Sequence, residues 1–405
     1  MIFKKLLLCV FIFSSTLSFA QEPAKFKLYG FIGNDFMFNS RRNVEMVDGL
    51  VQLFPLPISL DLNNKDINAA PQAEFLSINT RLGLDIAGTP LLRAISTGKI
   101  EADFAGFGTT FYVFRIRQAY VKLNWAKSEL LLGQTWHPLF GSMVPTTFSI
   151  NGGAPFQPFN RCPQLRFKHN LTPTLTVTAA ALYQMQYASQ GPLEASNVYL
   201  KNALVPNVFL GMENKTSRWI NGAGVDFKTI KPDATNRVSS LSAVAYSQYT
   251  NKKFQLKAKA VLGENLSDQL MLGGYGASSY SPDSTRILSY TNFNNMSTWV
   301  NAVYGNKLQV GMLVGVSQNL GTNKDLALSR TNKFTNYGFG FYDQVVLDRL
   351  YRIAPQVSYN LQNIRVALEY DLTSASYGAI QRSGRATTTY SVNNHRVLAS
   401  VMYIF

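Results

Sequence analysis

Apolar and polar residues alternate along most of this chain with a period of two, the pattern of strands that keep one face apolar. The stretch Tyr112–His137 shows it most clearly. Phe114 and Ile116 point one way and Arg115 and Arg117 the other, and the link Ala126-Lys127-Ser128 is short enough only for a tight hairpin turn. The returning run sets Leu130 and Leu132 against Gly133, Thr135 and His137. A soluble sandwich would hide the apolar face and leave the arginines in bulk water. A membrane barrel turns that face to lipid and the arginines to a wet lumen, and this second arrangement fits the chain better. The longest uncharged stretch, Asn170–Leu193, keeps the same rhythm. There Leu175, Val177, Ala179, Ala181, Tyr183, Met185 and Tyr187 alternate with threonines and glutamines, so it is a strand and not a membrane helix.

In chain order, Phe26–Phe38 is the expected first strand, followed by a long outer loop to Ala73. Glu74–Ala87 returns with Leu82, Leu84 and Ile86 outward, and turns near Gly88-Thr89-Pro90 into Leu91–Phe107. After the Tyr112–His137 hairpin, Pro138–Cys162 holds four prolines and a Gly152-Gly153 pair, so no ladder runs through it and it is the third outer loop. Strands follow at Gln164–Asn170 and from Thr174, then at Val205–Lys228, Arg237–Tyr249 and Phe254–Glu264. Asn265–Asn295 is read as loop. Trp299–Tyr304, Lys307–Gln318, Leu350–Leu361, Ile364–Thr373 and the closing Asn394–Phe405 complete the set. The count is about sixteen antiparallel strands in which short turns and long loops alternate, the asymmetry of a transmembrane β-barrel with short inner turns and long outer loops. Pairing of the first strand with the last leaves no open edge, as lipid demands.

The amino terminus adds an address. Lys4 and Lys5, the apolar run Leu6–Phe13 and the small-residue end Ser18-Phe19-Ala20 make residues 1–20 an expected secretory signal, with 21–405 a single barrel domain. The apolar run is too short to span about 30 Å of hydrocarbon. Cys9 does not suit lipoprotein processing, because Leu8 precedes it where a small residue is needed. Cleavage removes two lysines and no acid, so the formal charge falls from +15 to +13. Cys162 is then the only thiol, which excludes an internal disulfide, and His137, His169 and His395 lack the spacing of a metal site. No cofactor is implied. In an exported protein this basic balance points away from nucleic acid and toward anionic lipid, including lipopolysaccharide, or anionic solutes. Export and the barrel pattern together place the chain in the outer membrane of a Gram-negative bacterium. A mean hydropathy of −0.03 suits apolar residues spread over alternating strands.

The polar phases put Arg81, Lys99, Arg115, Arg117, Arg166, Lys168, Lys257, Lys259, Arg352 and Arg365 inside, with Asp85, Glu101, Asp103, Glu369 and Asp371. Arginine and lysine rings are the usual device of anion pores, and the guanidinium fork matches carboxylate and phosphate. The expected eyelet has Arg115, Arg117 and Arg166 on one wall, opposed by Asp85, Glu101 and Asp103; replacing Arg115 or Arg117 by alanine should weaken anion preference with little change in folding. The competing reading is a scaffold of inward ion pairs. Trp125, Trp136, Trp219, Trp299, Tyr359 and Tyr403 are read as interfacial girdle residues.

The passages GKIEADFAGFG (Gly98–Gly108), FRIRQAYVKL (Phe114–Leu123), LLLGQTWHP (Leu130–Pro138) and WINGAGVDFKTIKP (Trp219–Pro232), with the terminal Val397–Phe405 run ending in an aromatic, resemble the DcaP-like porins. The resemblance covers most of the chain after the leader. It implies a homotrimer of sixteen-stranded barrels, a third loop folded into the pore, and a basic constriction that passes small anions such as dicarboxylates. On that template Pro138–Cys162 is the constricting loop, and Arg115 with Arg117 matches the family's arginine pair. Members often carry a helical coiled-coil lead, whereas only Gln21–Lys25 precede the first expected strand.

Enzyme readings find little support. There is no Gly-x-Ser-x-Gly elbow, and a barrel lipase would need a serine beside a lipid-facing histidine such as His395. A receptor or adhesin barrel is the other alternative; a plugged receptor would need a globular segment before the first strand.

Overall fold

The computed structural model describes residues 24–47, 49–106 and 113–405, and the expected leader lies outside them. Sixteen antiparallel strands wind in sequence order around a closed barrel. They are β1 (Lys25–Asn39), β2 (Gln72–Leu76 with Arg81–Leu91), β3 (Ala94–Asp103), β4 (Arg115–Asn124), β5 (Ser128–Trp136) and β6 (Arg161–Asn170). There follow β7 (Leu175–Leu182), β8 (Asn207–Lys215), β9 (Trp219–Ile230), β10 (Val238–Asn251) and β11 (Phe254–Glu264). The last are β12 (Ile287–Gly305), β13 (Leu308–Thr322), β14 (Val345–Leu361), β15 (Ile364–Ile380) and β16 (Ala386–Ile404). β1 closes on β16 through nine residue pairs from Phe31↔Ile404 to Asn39↔Arg396, so no edge is left for lipid to meet.

Alternation decides which face each side chain takes. Along β14 and β15 exposed Tyr351, Ile353, Val357, Val366 and Leu368 alternate with buried Arg352, Gln356, Ser358, Glu369 and Asp371. The turns at the shorter-connection end are as expected except one. β2 runs on through Pro90, and the turn falls at Leu92 and Arg93, both with positive φ, where the chain reverses most tightly. Ile287–Asn295, read as loop, is strand, because its Asn and Ser residues pair with β13 and with the loop strand Gly273–Tyr280. β15 and β16 likewise run further than their membrane-spanning parts require, as a hairpin beyond the lipid. The rim is therefore uneven: β3 to β8 have 8 to 10 residues, β12 to β16 have 15 to 19.

β2 is interrupted. Asp35 pairs with Leu76 and Phe31 with Arg81, so the four residues Ser77–Thr80 face three of β1. This bulge turns Ile78 and Asn79 into the interior, where the Asn79 side chain donates to buried Asp35. The close approach needs Gly33, since a Cβ there would lie 2.2 Å from the Asn79 carbonyl oxygen. Gly33→Val is expected to cost about 1–3 kcal/mol, read as a lower thermal midpoint of the folded barrel in detergent.

Two outer loops fill much of the lumen. Within 40–71 a short hairpin, Asn43–Met46 with Val51–Pro55, enters the barrel. The third loop, 138–160, crosses to the far wall. Val51, Leu53 and Phe54 from the first and Phe140, Met143, Phe156 and Phe159 from the second form one apolar core with Trp299, Leu313, Leu350 and Ala354 of β12, β13 and β14. Those wall residues sit on the inward phase. Trp299 is thus no girdle residue: it is buried, and its indole N–H donates to Gln157 Oε1 at 3.1 Å. Trp136 also faces this core, stacked on Phe140 at 3.9 Å. Trp219, Tyr359 and Tyr403 are exposed on the outside, where girdle residues belong.

Candidate functional site: a pore wall of arginines facing an uncharged loop

Folded loop backbone cannot join the strand ladder, so its polar groups need other partners. The far wall supplies them. Lys257 of β11 donates to Val144 O (2.9 Å) and Thr146 Oγ1 (3.0 Å), and Lys259 to Met143 O (3.0 Å) and Phe140 O. Gln356 of β14 donates to Thr146 O (2.6 Å), while Glu369 of β15 accepts from Phe148 N (2.7 Å). Arg352 holds Ala154 O (2.9 Å), Leu53 O (2.8 Å) and the Asp371 carboxylate (3.0 Å). The sequence places Arg352 among the pore-lining residues; the structure leaves it 1 % exposed, a clamp on two loops.

While the loop is fastened to β11–β15, a second group of charges lies on β2 to β6. Arg81 pairs in register with Asp103, and Asp103 with Arg115. Between Ile116 and Gln118 the register with β3 shifts by one residue, which sets Arg117 and Gln118 on the same side of the sheet. Arg117 then bridges Glu101 (2.8 Å) and Asp103 (2.7 Å), and Arg115 holds Asp103 at 2.7 Å. Gln118 and Tyr29 complete Glu101, at 3.2 and 3.1 Å. Nearer the turns Lys99 meets Asp85 at 2.7 Å.

The expected opposition is therefore corrected. Glu101, Asp103 and Asp85 do not face the arginines across the lumen: Glu101 and Asp103 lie on the neighbouring strand of the same wall and bind Arg115 and Arg117 directly, and Asp85 binds Lys99. The loop opposite holds no charged residue at all from Pro138 to Asn160. The placement of Arg117, 4 % exposed between two carboxylates, argues against the expectation that it could be removed with little effect on folding.

Two arginines of this cluster have no ion-pair partner among the described residues. Arg81 lies over the Phe31 ring at 5.0 Å, with no direct ion pair among the described residues. Arg161, at the root of the loop, lies over Trp136 at 4.5 Å and donates from Nε to Gln186 (2.8 Å), while both terminal nitrogens are buried without a hydrogen-bond partner. It is close enough to Arg115 and Arg117 for their charges to act on it. Sequence reasoning missed Arg161 by assigning it to a loop. A signal existed, since it is the one charge in Pro138–Cys162.

Arg166 and Lys168 are not part of this cluster. They line a cavity of 490 Å³ on the turn side of the loop, with Glu129, Glu213, Trp136 and Tyr246. His395 does face outward, but its ring partner is the Tyr370 hydroxyl at 2.7 Å, not a serine.

No known protein-family profile matches the chain, and no curated protein sequence does. Solved structures do. The outer membrane channel DcaP of Acinetobacter baumannii is 20% identical, with 94% of this chain and 97% of that one covered and a TM-score of 0.68. The chain has the DcaP-like porin fold. OmpT, an outer membrane protein of Vibrio cholerae described in a trimer form, is 12% identical over 95% of this chain and all of that one, with a TM-score of 0.51. OmpF of Salmonella typhi, also 12% identical, superposes over 95% and 100% with a TM-score of 0.53. The porin fold accounts for the loop-filled lumen and the apolar outer band alike.

Proposed function

We propose that this chain forms an outer-membrane channel for passive diffusion of small hydrophilic solutes and prefers anions, with dicarboxylate- or phosphate-like solutes as the class it favours. One observation carries the reading: in the charged cluster of β2, β3, β4 and β6, Arg81, Arg115, Arg117 and Arg161 outnumber Glu101 and Asp103, and the third loop is uncharged from Pro138 to Asn160. Low-dielectric walls focus such an excess onto passing ions. The likeness to DcaP, an outer membrane channel, supports the reading, as does the apolar outer surface. A homotrimer, suggested by the trimer form of OmpT, and a cleaved leader over residues 1–20 belong to the same proposal. In planar bilayers under a salt gradient the reversal potential should have the sign of anion selectivity. A cation-selective potential refutes the proposal.

A further inference from the structure

The cavity below the loop differs from the wall above it. Arg166 and Lys168 of β6 make no direct ion pair with any described residue, and Arg166 Nε is buried without a hydrogen-bond partner. Across β7 stands Glu213 of β8. Its Oε2 accepts from Tyr246 OH (2.7 Å) and from Ser142 Oγ of the loop, both neutral donors, and no cation among the described residues is bonded to it. Across β7 the two are offset by two residues: Lys168 pairs with Thr178, and Glu213 with Thr176. Adjacent strands lie about 4.8 Å apart, which puts the backbones of β6 and β8 on the order of 10 Å from each other, with the two threonines between them. The lumen here presents Arg166 and Lys168 on one side, beside a Glu129 carboxylate already held by Lys122 at 2.9 Å, with Glu213 on the other side and hydroxyl groups across the floor.

A simple anion gains from Arg166 and Lys168 but is repelled by Glu213. A simple cation meets the reverse. A solute with both charges satisfies each side at once, its carboxylate on the Arg166 fork and its ammonium toward Glu213. We infer that this cavity is a transit site for amino-carboxylate zwitterions, which it orients as they pass. The inference rests on the channel reading and narrows its solute class beyond anions.

The test uses the full-length channel in planar bilayers, with 4-aminobutyrate and butyrate as probes of matched length. In the wild type, 4-aminobutyrate should interrupt the ion current at about fivefold lower concentration than butyrate, the yield of one partly exposed ion pair. Glu213→Gln should abolish that advantage and leave butyrate block unchanged or stronger, while Glu213→Asp, which keeps the charge, should retain part of it. Lys168→Met should weaken block by both probes. Equal potency of the two probes in the wild type overturns the inference, whatever the variants do, and so does an advantage that survives Glu213→Gln. A wild-type protein with no conductance fails the channel reading itself, a separate outcome.

Discussion

Arg117→Met is expected to cost about 3–5 kcal/mol of barrel stability and to remove much of the proposed anion preference at once. The cost arises because Arg117 is joined to both Glu101 and Asp103, and its loss leaves buried carboxylates undercompensated. The selectivity falls because the wall loses a positive charge while both negative ones stay. Arg161→Met separates the two effects. That guanidinium has no ion-pair partner among the described residues, so its removal also removes a burial penalty, and an apolar side chain of similar length still packs on Trp136. Its reversal potential should move toward zero while its thermal midpoint in detergent stays near wild type or rises. If Arg117→Met instead unfolds no more easily than Arg161→Met, the bridging geometry is not what holds this wall.

The second large effect is expected at the opposite wall. Arg352→Met strands the Asp371 carboxylate and frees Ala154 O of the third loop and Leu53 O of the first together. Breaking a buried pair of this kind costs about 3–5 kcal/mol, and here part of the loss takes the form of loop release. Single channels of the variant should show larger and noisier conductance than wild type, because the segment that narrows the lumen is no longer held at that end. Unchanged conductance with lowered stability would show that the remaining contacts, Lys257 and Lys259 among them, suffice to keep the loop in place.

The barrel was legible in the sequence because lipid and water enforce a strict period of two. Runs such as Leu256 to Leu262 state both the strand and its orientation without reference to any neighbour. Strand pairing is less local. The bulge at Ser77–Thr80 and the register shift at Arg117 each depend on a partner strand, so alternation alone could not place Asn79 or Gln118. The inner partition was the least legible. Cations on the polar phase look alike whether they face solute, carboxylate or loop backbone, and Arg352, Lys259 and Arg117 proved to be held by protein. One hint was available: Leu313, Leu350 and Ala354 interrupt the polar phase of β13 and β14 with apolar residues, which no water-filled wall requires and an inserted loop does.

The way the third loop is gripped has a consequence for how such a channel can change. Most of its hydrogen bonds to the far wall close on main-chain oxygens and nitrogens, which every residue type offers, while its side-chain anchors are chiefly the apolar Phe140, Met143, Phe156 and Phe159. Mutations at the insert's other positions can therefore redraw the chemistry of its surface while the insert keeps its seat. Filter and fixture sit on different parts of the chain, and each is free to evolve, or to be re-engineered, without dismantling the other.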